Sequence, residues 1–503
     1  SESRKSGSYN NERTTAENYR YSNVTAGDTD GTANIGGGYN TEEYNHLTEN
    51  GYKLVSDEPL STFSTDVDTA SYTNVRRMIN DGWEVDPDAV RTEEFINYFK
   101  YDYEKPAEGA VSINTELSDC PWNSEAKLML VGLQAREAKV NDVPTNLVFL
   151  IDVSGSMEDE DKLPQQAFSM LAENLGADDR VSIVTYAGSD SVVLEGESGD
   201  NSEEIVSALN SLSAGGSTAG AAGITTAYKL AEEYFIEDGN NRVILATDGD
   251  LNVGLSSEEE LTDLISQKRD SGVYLSVLGF GSGNYKDNRL EALADNGNGN
   301  YAYIDSVDEA KRVLVTEMSG TLFTVAKDAK VQIEFNPENV SAYRLVGYEN
   351  RLLNDEDFED DTKDAGDIGS GQQVTVLYEI VPNNGNEKSL KYQDNESKAE
   401  TNELSGEMLT VSVRYKDPEA SESKLIDKSV MCSDYTEAVS QNFAKACSAA
   451  EFAMVLRNSD YASGLTAQDV VDYMEQNNVD NSELFELIYK YMQNGTGSEA
   501  SYW

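Results

Sequence analysis

Histidine and cysteine are nearly absent from this chain, which has one histidine and three cysteines in 503 residues. The lone His46 stands in a polar stretch, which removes most histidine-dependent catalysis from consideration. Cys120, Cys432 and Cys447 are too few for a disulfide framework, and no two lie at metal-ligand spacing, so zinc is not expected. They allow either one pair and a leftover thiol or three buried thiols. Basic residues are also scarce. Lys and Arg number 38 against 92 Asp and Glu, a formal charge of −54. That balance argues against nucleic acid or an anionic membrane surface as partner, and it is compatible with a secreted or surface protein or with a halophile. No apolar run approaches the ~18 residues of a membrane span.

The chain is long enough for two to four domains. With 38% hydrophobic residues and 28 tyrosines, most of it is expected to bury a core. Residues 1–57 are the exception: they are polar, lack apolar periodicity and read as a flexible tether. The sequence opens at Ser1 rather than Met, which fits a signal or lipid anchor upstream. Asp28-Thr-Asp30-Gly-Thr32 spells a phosphatase-like pattern, but the buried strand that this chemistry needs does not precede it. From Glu58 the pattern changes to two helices, near 69–81 and 87–100. Asp68 or Thr69 is expected to cap the first and Asp86 the second, ahead of Pro87 at its first helical position. Asp66 and Asp68 look ligand-like, but capping and local hydrogen bonds account for them. Strands follow at 111–117 and 126–138, around Trp122.

The most informative run is Asn146-Leu-Val-Phe-Leu-Ile-Asp152-Val-Ser154-Gly-Ser156-Met157. Its apolar part reads as a buried parallel strand. The strand ends in one carboxylate and two hydroxyls at alternate positions, with Gly155 permitting a tight turn. Oxygens converging just beyond a strand's carboxyl end suit a hard divalent cation such as Mg²⁺. Open α/β sheets bind their ligands at the same place. Gly215-Gly-Ser-Thr218-Ala-Gly220 is a loop opening a helix and offers a further hydroxyl. Arg242-Val-Ile-Leu-Ala-Thr247-Asp248-Gly249-Asp250 is a second apolar strand ending in a carboxylate. Strands and helices alternate from 141 to 325, ending in a helix at 307–323, which is the pattern of a doubly wound, mostly parallel sheet. Gly279-Phe-Gly281-Ser-Gly283 invites a dinucleotide reading, but position 284 is Asn and no acidic residue follows at the proper distance.

After Phe323 the pattern returns to β, at 329–335, 342–348, 373–381, 408–415 and 425–431. The acidic loop 354–371 lacks the regular spacing of a calcium loop and reads as solvated. The tail has apolar residues at helical spacing, among them Phe443, Ala446, Ala450, Ala453 and Met454, a stripe that core packing explains.

Asp152-x-Ser154-x-Ser156, then Thr218, then Asp248 resembles the metal-ion-dependent adhesion site of von Willebrand factor type A domains. An Asp-x-Ser-Gly-Ser turn alone is also an ordinary strand ending, whereas the five-part set in this order is not. The segments 58–103 and 330–381 are similar to the flanks of a bacterial branch of that family. The resemblance implies Mg²⁺, or else Mn²⁺ or Ca²⁺, with hydroxyl ligands from Ser154, Ser156 and Thr218 and with Asp152 and Asp248 acting directly or through water. It also implies a protein partner whose carboxylate completes the octahedron. The acidic charge balance already argues against nucleic acid, and no catalytic residues are expected. Asp159 and Asp250 are expected on the surface nearby. The leading functional reading is an exported, adhesion-type binding protein at the cell surface, held there as a lipoprotein. A structural or envelope-assembly protein with a stabilising metal site is the alternative. A metal-assisted enzyme comes last, because nothing near the motif looks like a base or nucleophile with an orienting partner.

Alone, the two strands around Trp122 would leave an apolar face and two edges open. They are therefore expected to join the strands after 329 in one β-sandwich. The type A domain, 141–325, would be an insertion between a flanking region at 58–140 and a sandwich region at 326–433, with a helical segment at 434–503 closing the chain. Helix 307–323 would then link metal site and sandwich mechanically. If a disulfide forms, Cys120 with Cys432 is the favoured pair, because both lie at ends of predicted sandwich strands.

Overall fold

Two short strands, β1 (Lys53–Leu54) and β2 (Leu60–Ser64), precede the first helix. Helices α1 (Ala70–Asp81) and α2 (Thr92–Tyr98) follow, then strands β3 (Val111–Asp119) and β4 (Lys127–Ala135). The computed structural model describes residues 42, 44–65, 68–137, 143–157, 162–187, 189–213, 215, 220–249, 258–281, 287–317, 323–363, 365–383, 406–418 and 420–497.

The α/β unit runs β5 (Thr145–Asp152), α3 (Leu163–Ala172), β6 (Arg180–Tyr186), β7 (Asp190–Ser198), α4 (Ser202–Asn210), α5 (Gly220–Glu233) and β8 (Asn240–Thr247). It continues with α6 (Glu258–Asp270), β9 (Val273–Gly279), α7 (Asp287–Asn296), β10 (Tyr301–Tyr303) and α8 (Val307–Lys311). Its strands lie in the order β10-β9-β8-β5-β6-β7, and all pairs are parallel except that of β6 with the edge strand β7. Strands β5 and β8 are buried along their whole length because helices cover both faces of the sheet. Leu147, Phe149 and Ile151 pack with Ile244 on one face, and Val148 and Leu150 with Val243 and Leu245 on the other. Two-sided burial is what makes these strands continuous apolar runs rather than alternating ones.

Six strands follow: β11 (Thr324–Phe335), β12 (Val340–Val346), β13 (Gly366–Gly369), β14 (Gln373–Pro382), β15 (Glu407–Lys416) and β16 (Lys424–Met431). Strand β4 pairs with β14 as well as with β3, giving a sheet β1-β12-β14-β4-β3. A second antiparallel sheet, β13-β11-β15-β16, carries β2 on β11. The two sheets enclose one core that contains Val131, Val331, Phe335, Tyr343 and Tyr378. The α/β domain is thus inserted between β4 and β11 of a β-sandwich.

Three helices close the fold: α9 (Gln441–Arg457), α10 (Ala467–Gln476) and α11 (Ser482–Gly497). They do not stand apart from the N-terminal helices. Tyr72, Val75 and Phe95 of α1 and α2 share one core with Phe452, Val470 and Leu484. The opposite side of α9, through Phe443, Ala446, Ala450 and Met454, packs on Leu128, Leu130 and Leu377 of the sandwich. Helix α9 is therefore buried on nearly all sides, more than the single stripe expected from the sequence.

Several expectations need correction. The chain joins the fold before residue 58: Asn50 donates to the carbonyls of Leu345 and Gly347, Val55 is buried and β1 pairs with β12. The expected helix 307–323 is not regular throughout: α8 passes at Lys311 into a π-helical turn, Arg312–Thr316, capped by Glu317, and the part at 318–322 lies outside the described residues, before β11 at Thr324. The Arg312 guanidinium fixes that turn by pairing with Glu309 and Glu317 and by donating to the Thr69 hydroxyl. Helix 87–100 divides into a 3-10 turn at Pro87–Ala89, where Asp88 N–H donates to the Asp86 carboxylate, and α2. All three cysteines are free, Cys120 and Cys447 buried and Cys432 exposed, so the Cys120–Cys432 bond is not formed.

Candidate metal centre

Asp152 ends β5 and Asp248 directly follows β8, its neighbour in the sheet. The strand order runs outward in opposite directions from this pair, so the two carboxylates stand at the topological switch point of the sheet. Both are buried, Asp152 at 2% exposure and Asp248 at 1%.

A local hydrogen bond shapes the first loop. Asp152 Oδ1 accepts from Ser154 N–H at 2.8 Å, an Asx turn that brings the chain round beyond the strand end and leaves Ser154 buried. A 3-10 turn at Gly155–Met157 follows, closed by Met157 N–H donating to the Ser154 carbonyl at 3.1 Å and anchored by Met157 in the core. Ser156 lies within this turn. The second loop is tied to the first where Gly215 N–H donates to the Val153 carbonyl at 2.7 Å. Thr218 falls between that bond and the start of α5. The Ser156 side chain, Thr218, Asp159 and Asp250 lie outside the described residues.

Thr247 joins the two strand ends. Its hydroxyl donates to Asp152 Oδ2 at 3.4 Å and accepts from Gly249 N–H at 3.1 Å. Gly249 has φ +90°, a left-handed conformation that favours glycine and turns the chain just after Asp248. The Tyr186 side chain is fully buried beside Asp152 and Thr247.

The electrostatics fit a cation. Burial pushes the Asp152 carboxyl up to about 6, and the neighbouring Asp248 adds to the rise, while the Ser154 hydrogen bonds and Tyr186 offset part of it. A divalent ion favours the charged form that burial disfavours. The donor set consists of two carboxylates and neutral hydroxyls, and among the described residues no cluster of three or more His, Cys, Asp or Glu has the geometry to hold a metal. That chemistry suits a hard ion of the Mg²⁺ type rather than one needing thiolates or imidazoles.

The structure therefore brings together Asp152, Ser154 and Asp248. Sequence reasoning missed Thr247 and Tyr186. Each is a hydroxyl-bearing residue at the carboxyl end of a strand adjoining β5, and that position was the available signal. The other sequence candidates are accounted for elsewhere. The first helix has Thr69 at its N-cap with no side-chain capping bond, and Asp68 accepts from Tyr301 N–H at 3.0 Å and pairs with Arg351 at 3.1 Å, both distant in sequence. In the acidic loop, Lys330 donates to the backbone carbonyls of Asp357 and Asp360, and Arg414 pairs with Asp361, so hydrogen bonds and an ion pair order it rather than solvent alone. His46 is exposed and bonds Asp88 at 2.6 Å. Asp66 and the 28–32 motif lie outside the described residues.

Three family models match the chain in succession. One described as von Willebrand factor covers residues 38–130, the von Willebrand factor type A domain covers 146–315, and the C-terminal model of protein YfbK covers 320–493. The chain is 40% identical over 450 residues to protein YfbK of Escherichia coli (strain K12), across 87% of this chain and 78% of that protein. It is 29% identical over 209 residues to protein sll0103 of Synechocystis, across 40% of this chain and 48% of that one. Among solved structures, it is similar to a von Willebrand factor type A protein from Catenulispora acidiphila, with a TM-score of 0.41 and 16% identity over 76% of this chain and 89% of that one.

Proposed function

Since this chain belongs to the YfbK family of von Willebrand factor type A proteins, we propose that it binds a partner protein through a divalent cation held at the ends of β5 and β8. The observation that carries the reading is the pair of buried carboxylates, Asp152 and Asp248, at the switch point, with Asp152 pushed up to about 6 by burial and by its neighbour. When bound, an ion such as Mg²⁺ supplies an electrophilic position for an anionic oxygen from outside the chain. On this reading Asp152 and Asp248 balance the ion's charge, and Ser154, Ser156 and Thr218 contribute neutral oxygens. A partner's carboxylate completes the shell. Mn²⁺ or Ca²⁺ would serve the same donor set.

We place the protein outside the cell as an adhesion-type surface protein rather than an enzyme, anchored by a lipid. Its 92 acidic against 38 basic residues are compatible with an exported protein. Among the described residues no helix is long and apolar enough to cross a membrane. The test is retention of a native cell-surface partner on the immobilised full chain. Retention that needs Mg²⁺ and is lost in Asp152→Ala is the expected result, and retention indifferent to chelator and substitution would overturn the reading.

One observation favours the alternative of a structural role. Arg91 of the flank pairs with Asp287 and Glu291 of α7, and Arg351 of the sandwich with Glu291 and Asp295, so buried and half-buried ion pairs fix the metal-bearing domain in place. Thermal stabilisation by Mg²⁺ without Mg²⁺-dependent retention would support that role instead.

A further inference from the structure

Strand β6 ends in Tyr186, which stands opposite Asp152 in the parallel register and whose carbonyl accepts Val153 N–H at 3.0 Å. The side chain is 0% exposed. Its hydroxyl lies against Asp152 and Thr247 and helps to hold the Asp152 carboxyl down, but the contact falls short of a well-formed hydrogen bond. On its other side the ring carries α5: a Cβ on Gly223 would lie 2.9 Å from Tyr186 Cβ and 3.2 Å from its Cδ1. The phenol is thus wedged between the strand that bears Asp152, the strand that precedes Asp248 and the helix that opens after the Thr218 loop. A buried hydroxyl with only a poorly formed contact is a cost that phenylalanine would avoid.

We propose that Tyr186 is a positioning residue for the cation, its hydroxyl donating to Asp152 and orienting that carboxylate when the site is loaded. This inference rests on the metal-binding reading above. Outer groups of this kind hold metal-ligating side chains in their working orientation, and their loss characteristically weakens binding by roughly 10–100-fold. Loss of the hydroxyl is therefore expected to weaken cation binding while leaving the fold's stability in place, which separates a positioning group from a merely structural one.

The test is calorimetric titration of the full chain with Mg²⁺ alone, for the wild type, Tyr186→Phe and Asp152→Ala, together with thermal unfolding of each in chelator. In chelator, Tyr186→Phe is expected to unfold at the same temperature as the wild type or higher. In the titration it should bind Mg²⁺ roughly tenfold or more weakly. Asp152→Ala should not bind. Equal affinity in Tyr186→Phe and wild type, with binding lost in Asp152→Ala, overturns the role of Tyr186 and leaves the metal reading standing. A Tyr186→Phe variant that loses stability in chelator also overturns it, because the hydroxyl is then structural. Binding intact in Asp152→Ala overturns the metal reading itself.

Discussion

Glu451 lies in the middle of α9 at 2% exposure, between the sandwich and the helical layer, and its Oε2 has no hydrogen-bond partner. Burial, with Asp469 adding to it, pushes its carboxyl from an ordinary 4.5 up to about 8. Between those two values the folded chain holds a proton that the unfolded chain releases, so stability falls as pH rises through that window. Each pH unit costs about 1.4 kcal/mol, which from the ordinary value to pH 7 amounts to about 3 kcal/mol. Glutamine has nearly the same shape and does not titrate. Glu451→Gln is therefore expected to be more stable than the wild type by about 3 kcal/mol at pH 7, and by less than about 1 kcal/mol at pH 5. Urea unfolding followed by circular dichroism at the two pH values measures the difference. A gain of equal size at pH 5 and pH 7, or a loss at pH 7, would refute the argument from burial.

Removing Arg91 leaves Glu94, Asp287 and Glu291 buried without the guanidinium they share, so Arg91→Met should cost about 3–5 kcal/mol at pH 7.5. The loss should shrink towards pH 5, because burial holds Glu94 and Asp287 above the ordinary carboxylate range and they take up protons first. Unfolding curves at the two pH values test this, and a loss that grows as pH falls would contradict it. Thiol labelling of the native chain followed by mass mapping should modify Cys432 at once and leave Cys120 and Cys447 protected until unfolding. Recovery of a Cys120–Cys432 peptide would contradict the arrangement described.

The metal-bearing part of the fold was the most legible in sequence because its signals are local. Strands β5 and β8 are apolar runs that end abruptly in carboxylates, and a strand buried on both faces leaves that trace whatever surrounds it. The insertion was legible from an absence, since the two strands around Trp122 needed partners and β14 supplies them. What escaped depends on distant contacts. Leu60-Ser-Thr-Phe-Ser64 is too short to declare itself as a strand until β11 pairs with it. Helix α7 sits between glycine- and asparagine-rich segments that mask its ends, and its Asp287 and Glu291 make sense only beside Arg91. The sharing of one core by α1, α2 and the C-terminal helices joins residues some 350 positions apart, such as Phe95 and Phe452, whose rings stand 6.3 Å apart. Tyr186 was hidden for a similar reason, because its bearing on Asp152 follows from parallel register rather than from spacing along the chain.

Everything proposed about function depends on a cation between Asp152 and Asp248. The most direct test is calorimetric titration of the intact chain with Mg²⁺, beside Asp152→Ala and Asp248→Ala variants shown by circular dichroism to be folded. The account predicts a saturable single-site isotherm for the wild type that vanishes in each variant. Mg²⁺ affinity unchanged in both variants would contradict it.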